Sequence, residues 1–78
     1  MQRFRDGNGV EWDVVLGRES WGALLALFVP VSADSGQPVR QAPLHASAYD
    51  AATTELDEMD GAALQALLDR SVVKEEGT

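Results

Sequence analysis

The chain has 78 residues, with 13 Asp and Glu against 6 Lys and Arg, one His and no Cys. A length of this kind supports one small domain, which hides only about 60–65% of its unfolded surface on folding. That excludes a deep catalytic cleft, and the missing cysteine excludes a disulfide staple, a thiolate zinc site and a thiol nucleophile.

Hydrophobic residues make up 45% of the chain, an ordinary globular share. The net charge of −7 is uneven. Residues 1–46 hold 4 basic and 5 acidic side chains, net −1, and residues 47–78 hold 2 and 8, net −6. Phosphate backbones and anionic lipid surfaces repel such a chain on average. The strongest apolar run, Ala23 to Val31, is interrupted by Pro30 and falls well short of the roughly 20 residues a membrane-spanning helix needs. The start, Met1-Gln2-Arg3-Phe4-Arg5-Asp6, has no apolar segment behind it, so no secretory signal is expected and the cytoplasm is the expected compartment.

In chain order, residues 2–18 predict a β-hairpin. Asp6-Gly7-Asn8-Gly9 is a turn sequence, because Gly and Asn tolerate positive φ. Val10, Trp12, Val14 and Leu16 then alternate with Glu11, Asp13 and Gly17, with Phe4 as the cross-strand neighbour on the apolar face. Gly17 to Gly22 reads as a connection holding Trp21. Leu24 to Val31 predicts an apolar strand suited to burial on both faces. Ser32 to Gln37 is a turn, and Pro38 to His45 a fourth strand. Pro38 and Pro43 cannot donate to a ladder, which assigns that strand to an edge or makes it irregular.

Two readings stand for residues 48–59: a helix capped by Ser47, or an extended segment pinning Tyr49, Leu56 and Met59 to the core. A helix follows, capped by Asp60, with Leu64, Leu67, Leu68, Ser71 and Val72 on one stripe and Arg70 and Lys74 in its last turn. The expectation is an α+β fold: an antiparallel sheet of three to four strands followed by one or two C-terminal helices. It forms a single domain over 1–73, with 74–78 as a frayed tail.

Each catalytic template fails on parts. His45 has Ser20, Ser32 and Ser47 as candidate partners, but none lies in a nucleophile-elbow setting. Glu55, Asp57, Glu58 and Asp60 suit a helix N-terminus. Set against Gly61 as a calcium-loop glycine, they leave Leu56 and Leu67 where the loop needs acids. Gly7-Asn8-Gly9 lacks the lysine and following helix of a phosphate cradle. Arg3, Arg5, Arg18 and Arg40 accompany Phe4, Trp12 and Trp21, but the overall negative field opposes a nucleic-acid platform. No catalytic residue, cofactor, metal or small-molecule substrate is expected.

Surface recognition remains. A thin sheet covered on one side leaves either Leu24, Ala26 and Phe28 or Leu25, Leu27 and Val29 on the other, and an apolar patch there marks a partner surface. Helices covering both faces are the alternative. Arg18, Trp21, Phe28, Arg40 and Tyr49 are the expected contact residues, by their enrichment type at interfaces.

The pattern Phe4-x-Asp6-x-x-Gly9-x-x-Trp12-x-Val14, then the apolar strand, then Glu55-Leu56 and Leu64-x-x-Leu67-Leu68, resembles a group of small uncharacterised proteins from GC-rich bacteria. It spans most of the chain and transfers no active site. In texture the chain is also similar to the membrane-extrinsic accessory subunits that brace bacterial photosynthetic reaction-centre and light-harvesting assemblies. That resemblance implies a non-enzymatic clamp, peripheral to a membrane complex, that holds integral subunits from the aqueous side without inserting. The expected function is thus a small structural or adaptor subunit docking on a larger protein assembly. The alternative is an acidic regulator or inhibitor that binds a basic protein surface through residues 50–69.

Overall fold

The computed structural model describes residues 2–18, 24–32, 36–45 and 48–74. Its elements are β1 (Gln2–Arg5), β2 (Glu11–Arg18), β3 (Leu24–Pro30), β4 (Arg40–Pro43), α1 (Tyr49–Asp57), α2 (Gly61–Asp69) and β5 (Val72–Val73). The five strands form one antiparallel sheet in the order β1-β2-β3-β4-β5. The fold is α+β, as expected, with a fifth strand added after the helices.

The first hairpin closes as its sequence requires. Gly9 takes a φ of 85°, and its N–H donates to Asp6 O. The Asp6 carboxylate accepts from Asn8 N, Val10 N and the Trp12 indole N–H, at 2.9, 2.9 and 3.0 Å. Phe4 then lies opposite Trp12. The turn thereby fixes the register, and the register fixes which face is apolar.

That inner face carries Phe4, Trp12, Val14, Ala26, Phe28 and Ala42, all buried. Trp12 and Phe28 meet edge to face, with ring centroids 6.3 Å apart at 88°. Both helices cover this same face. α1 contributes Ala52 and Leu56, and α2 contributes Leu64, Leu67 and Leu68. The molecule measures 33 × 33 × 19 Å, a thickness of one sheet plus one helical layer.

For residues 48–59 the helical reading holds: α1 runs from Tyr49 to Asp57, with extended Ala48 at the N-cap and no side-chain cap. Asp60 caps α2, its Oδ1 accepting from Ala63 N at 2.8 Å. The stripe expected to continue through Ser71 and Val72 does not. α2 ends at Asp69, Arg70 is its C-cap, and Val72 and Val73 pair with Gln41 and Arg40. Lys74, expected in the last helical turn and then the tail, donates its N–H to Val39 O at 2.9 Å. The physical reason is the free ladder of β4, which outcompetes two more helical residues.

This pairing also makes β4 internal rather than an edge strand. Leu44 N bonds to Leu24 O, so strand alternation turns the Pro43 nitrogen away from β3. It lies beyond the end of β5, where no ladder bond is lost. The connection through Trp21, turn residues 33–35, the Ser47 cap and residues 75–78 lie outside the described residues. Among the described residues, no helix is long and apolar enough to cross a membrane.

Candidate docking surface

Because strand side chains alternate, the residues interleaved with the core point to the opposite face of the sheet. On β3 these are Leu25, Leu27 and Val29, with Val31 next in the same parity. Val15 flanks them on β2; on the other side Gln41 of β4 stands beside Leu27, and Val72 of β5 lies beyond it. Of the two alternatives for the apolar run, the structure therefore puts Leu24, Ala26 and Phe28 inside. Among the described residues no helix covers the outer face.

Val15, Leu27 and Val29 are half-buried, and Val72 is 58% exposed. Leu25 is already buried. Leu27 lies flat across Gly17: a Cβ built on that glycine falls 2.7 Å from Leu27 Cδ1. The lack of a side chain at Gly17 is what lets Leu27 lie low on the surface.

Charges frame this strip at one edge. Arg3 Nε lies 3.2 Å from Asp13 Oδ1, and Arg5 Nη2 lies 3.8 Å from Glu11 Oε1. Both pairs are cross-strand neighbours. They cancel, so the described strands present two cations and two anions on the outer face. Among the described residues, the acids of the second half of the chain, Asp50, Glu55, Asp57, Glu58, Asp60 and Asp69, belong to the helical layer or its caps.

The expected contact residues do not assemble into one surface. Phe28 has no exposed surface, because strand parity turns it toward the helices; it is a core residue and cannot present itself to a partner. Arg40, opposite Phe28, is half-buried and held by the turn after α2. Its Nε donates to Ser71 Oγ and its Nη2 to Ser71 O, both at 2.8 Å, while Ser71 Oγ donates to Leu68 O. Arg18 is exposed at the end of β2, opposite Leu24. Tyr49 is 58% exposed at the start of α1. Trp21 lies outside the described residues. Val15, Val72 and Val31 were not among the expected contacts. The signal for Val15 was present: it breaks the polar alternation of Glu11, Asp13 and Gly17.

Tyr49 lines a cleft of about 260 Å³ between α1 and the β1–β2 end, with Gln2, Leu16, Thr53 and Asp57. Two other hollows are of about 240 and 280 Å³. All three fall below the roughly 300 Å³ at which small-molecule sites begin. Among the described residues no buried side-chain nitrogen or oxygen lacks a partner, and no three His, Asp or Glu converge on a metal position. His45 Nδ1 contacts Glu55 Oε2 at 3.4 Å on the surface. Burial pushes the Asp6 carboxyl up, but the hydrogen bonds from Trp12, Val10, Asn8 and Gly9 outweigh it and hold the group below its ordinary 3.8. That shift belongs to the turn, not to a reactive site.

Comparison of the chain with family models, curated proteins and solved structures finds no match.

Proposed function

We propose that this chain is a non-enzymatic docking module, a small structural or adaptor subunit that uses the outer face of its sheet. The observation behind this reading is the asymmetry of the fold. Both helices spend their apolar stripes on one face, while among the described residues no helix covers Val15, Leu27, Val29 and Val72 on the other. An apolar strip over β2 and β3, bordered by charged pairs on β1 and β2 and by Gln41 on β4, is the kind of surface that binds protein.

The test is co-purification of the natively expressed chain from soluble and detergent-solubilised membrane fractions, with Val29→Lys as the control. A stoichiometric companion that Val29→Lys loses supports docking through this face. An integral-membrane companion would favour the brace implied by the resemblance to photosynthetic accessory subunits. A companion held equally by both chains removes the outer face from the reading.

The acidic helical layer favours a second reading, a regulator of a basic protein surface. Six acids lie from Asp50 to Asp69 with no Lys or Arg among them. Binding of that kind falls steeply with salt. Reversing the charges of Asp57 and Glu58 without effect on capture would exclude it.

A further inference from the structure

We infer that the partner seated on the outer sheet face is a second copy of this chain, packed sheet to sheet across a two-fold axis lying between the sheets. This rests on the docking reading and names its occupant.

Three observations favour a like partner. The first is charge. Each chain carries −7, yet the outer face of the five described strands is neutral, because Arg3 and Arg5 cancel Asp13 and Glu11. Facing sheets put the two acidic helical layers on the outside. They then lie about 30 Å apart, several times the Debye length of about 8 Å at physiological salt, so they barely repel. A basic partner would be drawn to the helical side instead.

The second is area. Strands at about 3.4 Å rise and about 4.8 Å spacing give this sheet a face of about 400 Å² in plan. With side-chain relief, two copies bury on the order of 1,000 Å² in all, the threshold for a specific interface.

The third is the closure of other routes. β1 is a four-residue edge carrying Arg3 and Arg5, and β5 is two residues long. Short, charged edges discourage strand addition. The face therefore associates and the edges do not. In the dimer β3 lies on β3 of the other copy, with Leu27 and Val29 at the centre and Val15 and Val72 on the flanks. The result is a four-layer helix–sheet–sheet–helix sandwich, an isologous contact that closes on itself.

Sedimentation of the purified full chain from about 1 to 100 μM, at physiological salt, tests this against the thresholds of specific association. A species of twice the 8.4 kDa chain mass is expected. Val29→Lys should weaken it at least about tenfold, because a lysine there meets its own copy across the axis and both charges must be desolvated. Asp13, its cross-strand neighbour, supports the lysine within one chain, and circular dichroism checks that the fold survives.

The absence of native cysteine gives a second readout that does not depend on a disruptive variant. Val29→Cys should oxidise to a disulfide dimer, whereas Ala66→Cys, exposed on α2, should not. A wild-type monomer at 100 μM overturns the inference. So does a dimer that survives Val29→Lys, or one cross-linked by Ala66→Cys alone. A monomer whose co-purifying companion is lost in Val29→Lys overturns the second copy but leaves the docking reading standing. A monomer with no such loss removes both.

Discussion

Asp6 binds its own turn to the core: one carboxylate holds two backbone N–H groups and the indole of Trp12. Asp6→Ala strips all three bonds and should cost about 1–3 kcal/mol, read by urea unfolding. Asp6 has a lowered folded-state pKa. Its contribution is therefore complete above the unfolded value, near 3.8, and is lost as pH falls through the lower folded value. Wild type should lose stability over that acid window more steeply than Asp6→Asn, compared by denaturation midpoints across pH. The turn was legible in the sequence because Asp-Gly-Asn-Gly acts locally. The Arg40 role was not. Its partner is 31 residues away at Ser71, and no local pattern announces a bond of that span. Arg40→Ala should destabilise the domain by about 2–3 kcal/mol, since it removes two hydrogen bonds from a charged donor and leaves Ser71 O unpaired. Arg40→Lys should rescue only part of it, because an ammonium cannot reproduce the two-pronged geometry. If unfolding is unchanged in Arg40→Ala, its bonds to Ser71 contribute nothing.

Among the elements, β2 is the one whose two faces do different work. Its inner residues make the core and its outer residues make the proposed docking surface, and Gly17 serves the outer one by making room for Leu27. Gly17→Ala forces Leu27 up or aside and should destabilise by about 1–3 kcal/mol, the usual range for overpacking. Thermal unfolding measures this, and Gly17→Ala combined with Leu27→Ala should recover part of the loss. The end of α2 illustrates the opposite limit. Its leucine stripe continues in sequence through Ser71 and Val72, and periodicity alone extends the helix. The backbone leaves it because Arg40 takes Ser71 and β4 offers an unpaired edge to Val72 and Val73.

The whole molecule is a two-layer slab with a neutral outer sheet and an acidic helical layer. If two slabs join through their sheets, the melting temperature rises with protein concentration, because association stabilises the folded chain by mass action. A hundredfold dilution should lower the wild-type melting temperature measurably and leave Val29→Lys unmoved. The hairpin, the apolar third strand, the Asp60 cap and the α+β class were determined by the sequence itself. Each depends on neighbours within a few residues: turn chemistry, alternation, a capping oxygen. The choice between the two faces of β3, the withdrawal of Phe28 into the core, the inward place of β4 and the fifth strand were decided only in three dimensions. In a strand with large apolar side chains on both parities, burial is set by where the helices land. That depends on long-range packing, which no window of local sequence contains.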